Sequence, residues 1–413
     1  MDAETYVPFR KSAVVSLCAE ELAGGERESF LEFAKLLDAL THYGFHVRGE
    51  ALLDAYQMVD PAEDVRTVRA VTAVQRAAAR QAVERELIAL AEAAEFTLIE
   101  SSEIQRAFDE HSLVKVRLEV DDDQIETALF FRRGVSQRTE RVKSLFGLRK
   151  RDIEFTSYAK VLVYIAFADS AEGGAERPRR GVLLKLFQNV PADDLEMLYP
   201  NVRVGMRSVD KLLIGVPAVV SGIIVVVTKL LAALGPLVLL LAFWLGVRDE
   251  SVSLNQASLL TLGAGVVAFA GYVIRQFSKF KNRKIKLMKN LAEHLYFRNL
   301  DNGPGVFHHL LDAAEESEVK ETLLAYHFLC TAETPLTAAA LDERVETWFR
   351  RRWQMPLDYD LPDALRKLRS LGLLTEDEHG ALHVLPLPEA KQRLDTQWDN
   401  VFRVPAAGAA VSP

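Results

Sequence analysis

Cysteine is nearly absent from this 413-residue chain, which holds only Cys18 and Cys330. Two thiols that far apart, each on a mostly apolar helical stretch, exclude a disulfide framework and read as buried free thiols in a reducing compartment. No C-x-x-C and no Cys/His cluster is present, so neither a metal nor another cofactor is expected. The catalytic signatures G-x-S-x-G, H-E-x-x-H and the Walker loop are also missing, and the expectation is a protein without enzymatic activity. A net positive charge is lacking too. The formal net charge is -8, which argues against a nucleic-acid binder, because affinity for phosphate needs clustered Lys and Arg. The first eight residues show no basic segment followed by an apolar one, so no secretory signal is expected.

What is present falls into five stretches. Residues 1–110 read as a helical amino-terminal domain, with Phe30, Phe33, Leu36, Leu37 and Leu40 at three- and four-residue spacing. Asp60-Pro61 interrupts it, an Ala-rich helical run follows over 65–94, and Ser101 or Ser102 is placed to cap another helix. Residues 111–190 read as a small antiparallel β-sheet domain of about four strands. There Val114, Val116, Leu118 and Val120 alternate with charged residues, Asp121-Asp122-Asp123 makes a polar turn, and strands are expected over 125–132, 155–167 and 182–187.

Residues 191–300 contain the longest apolar runs and predict a transmembrane helical hairpin between about 213 and 274, with flanking amphipathic helices. Arg203, Arg207 and Lys211 precede the first block, and Arg275, Lys279, Lys281, Arg283, Lys284 and Lys286 follow the second. Basic residues flank the cytoplasmic ends of spans, so two passes are expected, over about 223–247 and 257–277. Three passes, with Lys229 in a turn, is the alternative. The implied location is a multi-pass membrane protein of a bacterial inner membrane with both termini cytoplasmic, or of an organellar membrane in a eukaryote. The basic run would then meet an anionic inner leaflet. Lys229 is the one intramembrane charge, read either as a snorkelling side chain or as a functional group.

Ahead of the apolar block, Asp193, Asp194 and Glu196 put three carboxylates in a short helix after Pro191. Such residues favour a helix dipole, yet they are also the best acid–base candidates near the expected membrane surface, together with Asn299, Asp301 and Asn302. His308 and His309 follow the Gly303-Pro304-Gly305 break. Residues 301–403 predict a winged-helix-like domain: helices over 319–331, 338–353 (N-capped by Thr337) and 361–371, then a hairpin turning at 377–380. Acidic residues surround Arg366, Lys367 and Arg369, which points to protein contacts rather than a DNA groove. Residues 404–413 read as a disordered tail.

Four stretches carry a resemblance. They are Tyr6-Val7-Pro8-Phe9-Arg10 with Tyr56-Gln57-Met58-Val59-Asp60-Pro61; Phe130-Phe131-Arg132-Arg133-Gly134; residues 184–200 leading into Asp210-Lys211-Leu212-Leu213-Ile214-Gly215; and Leu295-Tyr296-Phe297-Arg298-Asn299-Leu300-Asp301-Asn302 with Gly305-Val306-Phe307. In these the chain resembles the transmembrane protein 143 family of unknown function. The resemblance implies a multi-pass membrane protein and lends no catalytic residues. The function expected is thus an α+β, membrane-anchored scaffold or interaction protein with a protein partner or a second copy of itself. An oligomeric transporter or channel subunit and a membrane-surface enzyme are the alternatives.

Overall fold

The computed structural model describes residues 6–60, 68–100, 102–103, 117–120, 125–144, 149–168, 181–198, 202–205, 242–247, isolated positions between 256 and 289, and 296–402. The chain divides into two units, one made of residues 1–101, 123–192 and 299–413, the other of 102–122 and 193–298.

The amino-terminal part of the first unit is three helices. Helix α1 spans Lys11–Glu20, α2 spans Gly25–Gln57 and α3 spans Ala73–Ala93. Helix α2 buries Phe30, Phe33, Leu37, Thr41, Phe45, Gly49, Leu52 and Tyr56, a three-and-four spacing that keeps one stripe inward along its length. Helix α3 starts at a capping box, with Thr72 and Gln75 satisfying each other's backbone N–H groups.

Behind these helices lies a five-stranded antiparallel sheet in the order β1-β3-β4-β5-β7. Its strands are β1 (Thr97–Leu98), β3 (Ile125–Ser144), β4 (Arg149–Phe167), β5 (Val182–Pro191) and β7 (Asn299–Asn302). The central strand β4 is buried at every residue from 161 to 167, so both of its faces are covered. Phe131, Leu162, Tyr164, Leu184 and Leu186 from the sheet meet Phe45, Tyr56, Leu87, Leu90 and Phe307 from the helices in one core.

A second core joins α1 and the start of α2 to the carboxyl-terminal elements. These are α4 (Pro304–Cys330), β8 (Leu336–Thr337), α5 (Ala338–Trp353), α6 (Leu361–Ser370), β9 (Leu374–Glu376), β10 (Ala381–Val384) and α7 (Leu387–Asn400). The small sheet has the order β8-β10-β9, which with α4, α5 and α6 is the element order of a winged-helix unit. Helix α4 is buried all round from Val319 to Leu329, as a helix at the centre of a core must be. The cations of α6 are engaged by carboxylates: Arg366 by Asp363, Lys367 by Glu318 and Arg369 by Glu376. In the second unit, β2 (Arg117–Val120) pairs antiparallel with β6 (Val202–Gly205).

Several expectations are corrected. The transmembrane hairpin, and with it the multi-pass membrane location, is not supported: among the described residues no helix is long and apolar enough to cross a membrane. Spanning a bilayer takes about 20 consecutive apolar residues, whereas the two longest helices, α2 and α4, carry charged residues throughout. Lys229, Lys279, Arg283, Lys284 and Lys286 lie outside the described residues, while Arg275 and Lys281 are helical and exposed. The strand expected beside β3 pairs instead with β6, because alternation marks a strand and its buried face without naming its partner. Helix α4 begins at Pro304, not at 319, since a proline at the first helical position starts a helix as readily as it ends one.

Candidate interaction cleft

A cleft of about 650 Å³ lies between the end of α1 and α5, lined by Glu21, Phe328, Arg344, Trp348, Arg351 and Arg352 among others. The sequence of α5 dictates its two faces. Leu341, Val345 and Phe349 follow one another at i+4 and are fully buried. Trp348 and Arg344 flank that stripe at three-residue spacing, Arg351 points away from it, and Arg352 extends the stripe at the exposed end of the helix. Thr337 Oγ1 accepts the Ala340 N–H at 3.3 Å to start the helix, and Gln354, at φ 55°, ends it. Arg350, Arg351 and Arg352 complement the negative end of the helix dipole.

Trp348 organises the cleft. Its indole meets Phe328 (5.6 Å), Phe349 (4.9 Å) and Trp353 (5.1 Å) edge-on, and its Nε1–H donates to Glu21 Oε1 at 2.8 Å. The Arg352 guanidinium lies over Trp348 (5.6 Å) and Trp353 (5.5 Å), and its Nη1 donates to the same Glu21 oxygen at 3.3 Å. Arg344 sits over Phe328 at 5.7 Å. Behind this layer His327 is 1% exposed, with Nε2 3.2 Å from Glu21 Oε2. Burial holds the His327 pKa below its ordinary value against the pull of Glu21. The ring is therefore neutral near pH 7, with its proton on Nε2 facing the carboxylate.

Glu21 thus takes hydrogen bonds from three side chains, whereas Arg351 is exposed and has no ion pair among the described residues. Arg352 also reaches Glu20, Nη2 to Oε2 at 3.7 Å, whereas Arg344, like Arg351, has no ion pair among the described residues. The result is an aromatic floor with two arginines open at its rim, residue types that are enriched in protein-binding hot spots.

The residues singled out by the sequence lie elsewhere. Asp193, Asp194 and Glu196 sit in the 3-10 turn Ala192–Leu198 of the second unit. Asp194 is 3% exposed and its Oδ2 accepts from Arg298 Nη1 at 3.0 Å, a structural ion pair. Asn299, Asp301 and Asn302 form edge strand β7, in register with Phe187, Leu186 and Lys185 of β5. Asp301 faces the start of α4, where its Oδ1 accepts the Asn302 N–H (2.8 Å) and its Oδ2 lies 3.3 Å from His309 Nε2. A Cβ at Gly305 would overlap that carboxylate. Gly305→Ala is therefore expected to displace Asp301 from the helix start and to lower stability by about 1–2 kcal/mol, read as a shift in the urea midpoint.

His308 borders a smaller groove of about 180 Å³ between α2 and α4, where His42 Nδ1 is 2.7 Å from Glu315 Oε2 and Lys11 Nζ is 2.9 Å from Glu315 Oε1. Among the described residues no group of His, Cys, Asp and Glu is arranged to hold a metal ion. The cleft itself escaped the sequence reading. Its only local signal is the run Trp348-Phe349-Arg350-Arg351-Arg352-Trp353, in which aromatics and arginines interleave at the end of an amphipathic helix.

A family model described as "Protein of unknown function (DUF3754)" matches residues 158–305. That match takes in most of β4, all of β5 and β7, and the first residues of α4, and leaves α5 with its cleft outside. No solved structure matches the chain.

Proposed function

We propose that this chain is an interaction protein, a scaffold that docks an acidic segment of a protein partner in the α1–α5 cleft. One observation carries the reading: a tryptophan fixed by its Nε1–H bond to Glu21 lies among arginines, two of which, Arg344 and Arg351, have no ion pair among the described residues. An apolar side chain of the partner packs on the indole, and flanking carboxylates pair with Arg344, Arg351 and Arg352. Arginine suits this role because its planar fork meets a carboxylate bidentately. The resemblance to the transmembrane protein 143 family assigns no residue roles and adds nothing to this reading.

The test is fluorescence polarisation of the full chain with labelled Asp/Glu-rich peptides that each carry one Leu or Phe, against Lys-rich peptides of equal length. Acidic peptides are expected to bind, with affinity falling as salt rises. Arg351→Glu, at an exposed position, is expected to weaken binding about tenfold or more, the equivalent of about 1.4 kcal/mol. Trp348→Ala is expected to do at least as much. No binding of any acidic peptide, or equal affinity for both variants and the unaltered chain, overturns the proposal.

A further inference from the structure

Two acidic side chains, Glu95 and Glu321, meet where charge is hard to hold. Helix α3 ends at Ala93, and Glu95 then takes φ 62° while the Phe96 N–H bonds back to Ala91 O at 2.9 Å. That left-handed position is one that Gly or Asn fills at less cost. Here it turns a glutamate toward Glu321 of α4, which is 5% exposed. The two carboxyl groups are hydrogen-bonded to each other. Among the described residues neither takes part in an ion pair.

The groups around them leave the pair uncompensated. From α4 come Glu316 and Lys320, from β3 Arg133, from α3 Glu92, from the amino-terminal segment Tyr6, and from the α6 side Tyr359, Asp360 and Asp363. The two cations are held elsewhere: Lys320 Nζ donates to Val7 O at 2.7 Å, and the Arg133 guanidinium lies over the rings of Tyr6 (4.5 Å) and Phe96 (6.0 Å). Tyr359 Oη donates to the Glu321 carbonyl at 2.5 Å, which fixes α4 against the segment entering α6. A buried carboxyl in contact with a half-buried one cannot ionise together with it, so the two share a proton. An open cleft of about 230 Å³ borders Glu95 and gives that proton a route to water.

We propose that the Glu95–Glu321 pair is a proton-operated latch that fastens the turn after α3 to α4, closed while the proton is shared and loosened when it leaves. It is independent of the cleft reading above. Burial, first among the causes, pushes the Glu95 carboxyl up to about 7, and burial followed by Glu95 itself raises Glu321 well above the ordinary carboxylate range. An unfolded glutamate releases its proton near about 4.3. The folded state thus binds more protons between these values. The latch contributes fully below about pH 4, is lost as pH rises through about 7, and changes little above that.

The test is hydrogen–deuterium exchange of the full chain from about pH 5 to about pH 9, corrected for the intrinsic pH dependence of amide exchange. Protection in peptides covering 94–99 and 357–361 is expected to fall by up to tenfold per pH unit to near neutrality and then level off. In Glu95→Gln/Glu321→Gln that dependence is expected to vanish. A flat profile in the unaltered chain, or the same slope in the double variant, overturns the latch. If the double variant does not fold, infrared spectroscopy decides: a protonated-carboxyl band that persists above about pH 6 and shifts in frequency in Glu95→Gln supports the pair, and no such band, or one that Glu95→Gln leaves unmoved, refutes it.

Discussion

Phe349→Ala is expected to lower the stability of the first unit by about 3–5 kcal/mol, the range for truncating a buried aromatic, and to dissolve the α1–α5 cleft with it. The ring is fully buried on the inner face of α5. It stacks on Phe9 at 6.2 Å and contacts Trp348 at 4.9 Å and Trp353 at 5.5 Å. Its removal leaves a cavity that Leu341 and Val345, fixed on the same helix, cannot fill by moving alone. Since a domain is stable by about 5–15 kcal/mol in total, the loss is a large share. Urea unfolding followed by tryptophan emission measures it, because two of the four tryptophans touch the ring. Arg351→Ala, exposed on the other face of α5, is the control and is expected to stay within about 0.5 kcal/mol. A change below about 1 kcal/mol for Phe349→Ala contradicts the packing described.

That asymmetry between Phe349 and Arg351 was legible in the sequence as helical periodicity, and so was the cap at Thr337. Periodicity reports which face of an element is buried, and it did so for α2. It does not report what the face is buried against. The alternating strand Arg117–Val120 was recognisable as a strand, but its partner Val202–Gly205 is remote in sequence. The segment Asn299–Asn302 carries no alternation and read as a breaker, yet it completes the sheet as an edge strand against β5. The cleft was illegible for the same reason: Glu21 and Trp348 are 327 residues apart, and neither is unusual in its own neighbourhood. The Glu95–Glu321 contact is equally non-local. Hydropathy misled in the opposite sense, since counting apolar residues over 213–274 predicted spans that no described helix provides.

Asp194 sits in an ion pair whose partner is remote in sequence. Asp193, Asp194 and Glu196 stood out as carboxylates fit for acid–base work, but the carboxylate of Asp194 is almost sealed from solvent and paired with Arg298, whose side chain is 24% exposed. Asp194→Ala is expected to cost the second unit about 2–4 kcal/mol, somewhat below the full penalty for orphaning a buried charge because Arg298 retains some water. Arg298→Met is expected to cost less than Asp194→Ala, and the double variant to recover part of the sum, since removing both charges leaves no uncompensated ion. The measurement is a double-mutant cycle from denaturant midpoints of the full chain. Asp194→Asn separates the two roles: a proton-transfer group would lose function with its fold intact, whereas a structural pair loses stability even in this near-isosteric variant. Coupling below about 0.5 kcal/mol, with all variants as stable as the unaltered chain, contradicts a structural role for the pair.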